Sequence, residues 1–363
     1  MFSADDYKYM ARAIQLAKKP FQAPHPNPRV GCVIVKNGQI IGEGFHAKAG
    51  EPHAEVHALQ QAGAAAENAT VYVTLEPCAH MGRTPPCANA LVNAKVAKVI
   101  AAMTDPNPKV SGKGLAILHE AGIEAEHGLL EPQAEALNRG FIKRMKTGRP
   151  WVRTKLAMSV DGRTAMADGE SQWITGAEAR KDVQHWRANA DAILTGSGTV
   201  VYDDPQLNVR DIPVDDIRQP LRVVIDSRQQ VSKQARVIDQ PGKVWLAGPE
   251  KGDYPDNVEL HVAARKNDNI DLDLLLERLG EHDINEVHVE AGATLNGVLL
   301  EQGLVDEIII YMAPIILGNK ARGLFNLQNI HSMQDKLLLE CTDVRQVGGD
   351  TRFVFRRLSP KVL

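Results

Sequence analysis

Between His53 and Cys87 the chain reads HAEVHALQQAGAAAENATVYVTLEPCAHMGRTPPC. A histidine with a glutamate two positions on is followed by a proline-cysteine pair and then by a second cysteine, with a helical and a β-rich run between them. The patterning predicts a helix opening near His53, after the loop Lys48 to Pro52, and a strand Thr70 to Thr74 just before Cys78. Two element ends can therefore bring the His53 imidazole and the cysteine thiols together. Outward from here the alternation continues. Ser3 caps an amphipathic helix bearing Tyr7, Met10, Ala11, Ile14 and Ala17, and Asn37-Gly38 turns a hairpin between Val30 to Val35 and Gln39 to Gly44. A helix follows Cys87, a strand runs Lys98 to Met103, and a helix lies between Gly112 and Ala121. This order predicts a three-layer α/β/α domain.

One imidazole nitrogen and two thiolates suit Zn2+, and three protein ligands leave the fourth tetrahedral position open, as catalytic sites do. His53, Cys78 and Cys87 are thus the expected ligands of one zinc per chain, with Glu55 as the catalytic proton carrier. A closed structural zinc needs a fourth ligand, which His57 or His80 offers. An H-x-E followed by P-C-x-x-C marks the zinc nucleobase deaminases, a superfamily this chain resembles. It departs from that pattern in spacing, with residues 79–86 inserted between its cysteines. His80 and Arg83 in this insert are held beside the metal, where they can recognise an anionic substrate.

The stretch PCAHMGRTPPC, with Pro26-Asn27-Pro28-Arg29-Val30-Gly31 and Gly44-Phe45-His46, is similar to the deaminase half of bifunctional riboflavin biosynthesis proteins. The resemblance implies a cytidine-deaminase-like fold and, as substrate, a diaminopyrimidinone carrying a ribosylamino 5′-phosphate. It also implies that Asn27, His46, His80 and Arg83 contact the base or the ribose phosphate.

Charge, glycine and proline in Met145 to Pro150 mark a boundary, placing one domain at 1–148 and a second at 149–363. Strands are expected at Trp151 to Met158, Ala192 to Thr195, Leu221 to Ile225, Lys243 to Ala247, Glu286 to Glu290 and Glu307 to Ala313, with helices such as Ala177 to Ala188 and Leu272 to Leu279. Glycines follow two of these strands, at Gly196-Ser197-Gly198 and at Gly292, where helix N-termini offer N–H groups to a phosphate. Val201 stands where the dinucleotide fingerprint needs Gly or Ala, which argues against a standard Rossmann domain.

The blocks LAMSVDGRTA, GESQWIT, GSGTVVYDDP, VIDS and VEAGATLNG resemble the dihydrofolate-reductase-like reductase half of the same family. That implies NADPH-dependent reduction of the ribosyl group to ribityl, following deamination. By the same matching, Ala157, Trp173, Thr199, Asp203, Ser227 and the run Gly292, Ala293, Thr294, Leu295, Asn296, Gly297, Val298 belong to the NADPH site. Lys155, Ser171, Arg187, Leu207, Arg210 and Glu290 belong to the substrate site.

Composition excludes several classes. The 363 residues exceed one core's usual reach, and 44% hydrophobic with 24% charged residues is a globular balance. A net charge of −3 with no basic run gives no footprint for nucleic acid, which disfavours a polynucleotide deaminase. No apolar run is long enough for a membrane span, and the N-terminus lacks signal-peptide patterning, so the expected location is cytoplasmic. Cys32, Cys78, Cys87 and Cys341 are too few for a disulfide framework. The expected partner is a small phosphorylated pyrimidine. A homodimer through the second domain is expected on the strand Glu307 to Met312. The remaining alternative is a non-catalytic zinc module.

Overall fold

In the computed structural model, Ser3 caps the helix Ala4–Ala17. The Ser3 hydroxyl accepts from the Asp6 N–H at 3.2 Å, and Asp6 accepts from the Ser3 N–H at 2.7 Å. The buried face is Tyr9, Met10, Ala13, Ile14, Leu16 and Ala17. Tyr7, expected on that face, is 48% exposed. Tyr9 takes its place because its hydroxyl donates to the Gly38 carbonyl at 2.7 Å and its ring packs on Tyr72. Burial of Met10 and of Leu16 contributes roughly 1.5–3 kcal/mol each. The structure describes residues 1–79, 86–214, 216–248, 250–262, 265–266 and 269–358. These divide into two units, Met1–Gly148 and Arg149–Leu363.

The first unit is built on a five-stranded sheet. Strands Gly31–Lys36 and Gln39–Phe45 form the hairpin, turned by Asn37 and Gly38 at φ 52° and 74°. Gly31–Lys36 pairs antiparallel with Thr70–Val73, which continues in parallel to Lys98–Ala101 and then to Glu124–His127, a strand not expected from the sequence. Alternation splits the side chains between two cores. Cys32, Ile34, Val71, Val73, Val99 and Ala101 face the helices Ala54–Ala62, Cys87–Asn93 and Lys113–Glu120. Val33, Val35, Tyr72 and Ile100 face Ala4–Ala17 and the side of Ala134 and Ile142. This is the expected three-layer arrangement.

Helix Ala54–Ala62 sits directly on the glycines of its neighbouring strand. A Cβ on Gly44 would lie 2.1 Å from the Ala54 carbonyl oxygen and 2.8 Å from the Ala58 nitrogen. Gly44→Ala is therefore expected to displace the helix that carries His53 and Glu55 and to destabilise this unit by about 1–3 kcal/mol, seen as a lower denaturation midpoint.

The second unit carries a nine-stranded sheet. Its order is Val258–His261, Val244–Ala247, Leu221–Ile225, Ala192–Gly196, Glu286–Val289, Trp151–Ser159, Glu307–Ala313, Asp350–Arg357 and Leu339–Val347. All neighbours are parallel as far as Glu307–Ala313; the last two strands are an antiparallel hairpin. Helices Leu272–Glu281 and Ala293–Glu301 cover one face through Leu275, Leu276, Leu279, Leu299 and Leu300. Helix Ala177–Asn189 covers the other through Ala179 and Val183, packed on Ile309, Tyr311 and Val354. Glu307–Ala313, whose Glu307 to Met312 stretch is expected to support a homodimer, is an interior strand paired on both sides and almost wholly buried. The edge strands are Val258–His261 and Leu339–Val347, the latter mostly exposed. Among the described residues no helix is long and apolar enough to cross a membrane.

Candidate active sites

His53 is the N-cap residue of helix Ala54–Ala62, and Cys87 is the first residue of helix Cys87–Asn93. Cys78 stands in the loop after strand Thr70–Val73. The donor atoms converge: His53 Nδ1 is 3.3 Å from Cys87 Sγ and 3.7 Å from Cys78 Sγ. The Cys87 N–H also donates to Cys78 Sγ at 3.2 Å. Hydrogen bonds from Cys87 and His53 hold the Cys78 thiol down to about 4 against its burial. The three ligand atoms lie within 4.8 Å of one another. An imidazole and two thiols at this spacing, with one thiol already favouring its anion, fit Zn2+. Among the described residues His57 does not join the group; His80 and Arg83 lie outside the described residues.

Glu55, 3% exposed, lies in the first turn of the helix whose N-cap is His53. Burial pushes its carboxyl up to about 7. Cys32 lies close enough that the Glu55 charge adds to burial in raising its thiol. His46 is buried, and its ring meets the His53 ring edge-on at 5.1 Å. Its Nδ1 must donate to the Pro52 carbonyl at 3.2 Å, so Nε2 accepts from the Asn27 amide at 3.0 Å. Burial lowers the His46 pKa, which keeps that neutral tautomer. The structure thus joins Asn27, His46 and His53 in one chain of contacts. Asn138 was missed from the sequence. Its side chain accepts from the Arg29 N–H at 2.7 Å and donates to the Arg29 carbonyl at 2.9 Å, fixing the segment after Asn27.

In the second unit a cavity of about 1400 Å³ opens near the carboxyl ends of the parallel strands, where α/β sheets bind ligands. Single ligands occupy roughly 300–1,000 Å³, so this volume has room for a dinucleotide and a second molecule. Lys155, Ser171, Arg187, Leu207, Arg210 and Glu290 all line it. So do Ala157, Trp173, Thr199, Asp203 and Ser227, together with Gly292, Ala293, Thr294, Leu295 and Val298. Gly292 is the N-cap of helix Ala293–Glu301, and a Cβ there would meet nothing within 4 Å, so its backbone is approachable. That suits a diphosphate.

Asn296 and Gly297 do not line the cavity. Asn296 is fully buried; its amide donates to the Ala291 and Gly292 carbonyls at 2.6 and 3.2 Å, and it accepts from Thr154, so it braces the glycine turn from behind. Gly297 lets the helix pass Asn326, whose carbonyl a Cβ would approach to 2.1 Å.

Arg187 pairs with Glu290 through Nε at 2.5 Å and Nη2 at 2.9 Å, and donates from Nη1 to the Asn208 carbonyl at 3.0 Å. Burial opposes the Glu290 charge, but the Arg187 guanidinium more than reverses this and holds the carboxyl far below its usual range. Burial lowers the Lys155 pKa, with Glu290 opposing and Arg187 assisting. Arg210 is exposed and donates to Asn208 Oδ1 at 3.0 Å. Ser171 donates to Asp203 at 3.4 Å, and the Arg180 guanidinium lies over the exposed Trp173 ring at 4.5 Å.

Comparison with known proteins covers both units. Residues 3–103 match the model of the cytidine and deoxycytidylate deaminase zinc-binding region, and residues 150–353 match that of the RibD C-terminal domain. The chain is 51% identical over 358 residues to the riboflavin biosynthesis protein RibD of Escherichia coli K12, covering 95% of this chain and 97% of the relative. It is 50% identical over 367 residues to that of Haemophilus influenzae, with 98% of each covered. Among solved structures, Acinetobacter baumannii RibD superposes with a TM-score of 0.92 at 49% identity, over 98% of this chain and 99% of that one. A Thermotoga maritima protein described as a diaminohydroxyphosphoribosylaminopyrimidine deaminase and 5-amino-6-(5-phosphoribosylamino)uracil reductase superposes at 0.88 with 33% identity, over 98% and 99% of the two chains.

Proposed function

Since the chain belongs to the RibD family, the bifunctional deaminase-reductases of riboflavin biosynthesis, we propose that its Met1–Gly148 unit deaminates and its Arg149–Leu363 unit reduces one phosphorylated pyrimidine in turn. The observation that carries this reading is the convergence of His53, Cys78 and Cys87 beside buried Glu55. The first substrate is 2,5-diamino-6-(5-phosphoribosylamino)pyrimidin-4-one, deaminated to 5-amino-6-(5-phosphoribosylamino)uracil. The second unit gives 5-amino-6-(5-phosphoribitylamino)uracil.

His53 Nδ1, Cys78 Sγ and Cys87 Sγ hold Zn2+, which when bound supplies Lewis acidity that makes water a nucleophile near neutral pH. Glu55 carries the protons: its carboxylate takes one from the attacking water and passes it to the ring nitrogen, then takes the second from the same oxygen as the carbonyl forms and passes it to the leaving amine. Ammonia then leaves in place of an amide anion. Asn27, fixed by neutral His46, whose ring in turn meets that of His53, orients the base. His80 and Arg83 contact the base or the ribose phosphate.

NADPH supplies the hydride in the second unit when bound. The Gly292 turn and the N–H groups opening helix Ala293–Glu301 hold its diphosphate, with Ala157, Thr199, Asp203, Ser227 and Trp173 around the rest. Lys155 and Glu290 address the ribosyl group, while Arg187 fixes Glu290 and Arg210 takes the phosphate with Ser171 and Leu207 beside it. Arg210→Ala is expected to raise the substrate KM about tenfold or more while leaving the NADPH KM within twofold, since a charge-assisted phosphate contact contributes roughly 1.5–3 kcal/mol. Equal losses for both ligands would give Arg210 a structural role.

The protein works in the cytoplasm on a small substrate, with no nucleic-acid or membrane partner. A homodimer forms through the reductase unit, one edge of whose sheet is the mostly exposed strand Leu339–Val347. The direct test incubates the zinc-loaded chain with the diaminopyrimidinone substrate, with and without NADPH. Ammonia without cofactor, followed by stoichiometric NADPH oxidation, supports both activities and their order. Zinc-loaded protein that releases no ammonia and oxidises no NADPH would return the N-terminal unit to a non-catalytic zinc module.

A further inference from the structure

Glu76 stands two residues before Cys78 and is 4% exposed. Its Oε2 accepts the N–H groups of Asp105 at 2.9 Å and Gly112 at 3.0 Å. Its Oε1 accepts those of Gly114 at 2.8 Å and Leu115 at 3.4 Å. The Glu76 N–H in turn donates to the Met103 carbonyl at 2.9 Å. One carboxylate therefore gathers both ends of the loop between strand Lys98–Ala101 and helix Lys113–Glu120. Among the described residues no lysine or arginine pairs with it, so backbone N–H groups alone compensate its burial.

The same loop presses on the next residue. A Cβ on Gly114 would lie 1.9 Å from the Pro77 carbonyl oxygen, so the helix start is seated against the peptide that leads into Cys78. Proline fixes φ at that step, and the Cys87 N–H holds the Cys78 sulfur from the other side. Cys78 is thus held through its backbone and its side chain at once.

We propose that Glu76 is a positioning residue for the metal centre: by clamping the Asp105–Leu115 loop against Pro77, it places Cys78 Sγ beside His53 Nδ1 and Cys87 Sγ before the ion arrives. The inference rests on the reading of His53, Cys78 and Cys87 as the zinc ligands. Groups that orient ligands from behind typically contribute 10–100-fold in metal affinity. Glu76→Gln leaves one oxygen for four donors and brings an N–H group toward two of them.

The test is zinc affinity of the full chain, measured by chelator competition at a temperature well below unfolding, with far-UV circular dichroism as the fold check. Wild type should bind one zinc, and Glu76→Gln, with an unchanged spectrum, should bind it 10–100-fold more weakly. The Co2+-substituted variant should show shifted thiolate and d–d absorption bands, while NADPH oxidation on the deaminated substrate stays at the wild-type rate. If Glu76→Gln is not recovered folded, Glu76→Asp, which keeps the charge one methylene short, should give a smaller loss of the same kind. A variant that is less heat-stable yet binds zinc within twofold of wild type, with an unaltered Co2+ spectrum, overturns the proposal. Wild type that binds no zinc overturns the ligand reading with it.

Discussion

Glu55→Gln is expected to lower the deamination rate by about 10²–10⁴-fold while zinc content stays at one per chain, because the amide keeps the shape of the carboxyl and loses its ability to accept and return a proton. Glu55 is almost fully buried at the start of the helix that His53 caps, so a replacement of equal size leaves helix and ligand undisturbed. Ammonia release and metal analysis on one preparation check this. The companion replacement Cys78→Ser should lose both zinc and activity, which separates proton carriage from metal binding. If Glu55→Gln retained more than a tenth of the wild-type rate, another group would be the proton carrier.

The second large effect is expected at Glu290. Its pair with Arg187 is almost out of solvent, with side-chain exposures of 14% and 9%, and Lys155 lies close enough to feel both charges. Glu290→Gln leaves buried cations without their anion and should destabilise the reductase unit by about 3–5 kcal/mol. At the 2–4 °C per kcal/mol usual for a unit of this size, its melting temperature should fall by roughly 6–20 °C. NADPH oxidation should be lost and ammonia release should persist. Arg187→Leu combined with Glu290→Leu should recover much of the stability and none of the reduction, since apolar pairs often replace buried ion pairs at little cost. Recovery of reduction in that double variant would reduce the pair to a packing element.

What the sequence made legible follows from how local each signal is. The His53, Cys78 and Cys87 cluster was readable because these residues fall at or just beyond element ends whose patterning is itself clear, and the structure brings their donor atoms together. Strands such as Leu221–Ile225 and Glu307–Ala313 were readable as short apolar runs between turn residues. The terminal hairpin was not, because Leu339–Val347 is mostly polar and exposed; Gly348-Gly349 before the alternating Asp350–Arg357 was the available cue. Tyr7 and Tyr9 were indistinguishable by helical spacing, and the choice between them was made by Gly38 and Tyr72, which are remote in sequence. The run Gly292 to Val298 reads as one motif, yet a helix turns its side chains by about 100° per residue, so Asn296 and Gly297 face inward while their neighbours face the cavity. Glu76 and Asn138 gave no signal, because their partners are backbone groups, which sequence does not distinguish.

The two sheets also differ in the order in which their strands find partners. In the first unit each strand pairs with another close by in the chain, as Gly31–Lys36 does with Gln39–Phe45 and Thr70–Val73 with Lys98–Ala101. In the second, Trp151 pairs with Glu286 and Arg153 with Glu307, so the strand made first sits inside the sheet and waits for neighbours made near the end. Distant pairings pay loop-closure entropy before contacts repay it, and they fold slowly. On the ribosome, the deaminase unit can therefore reach its native state while the reductase sheet lacks its middle, and the window for misfolding falls on the second half of synthesis.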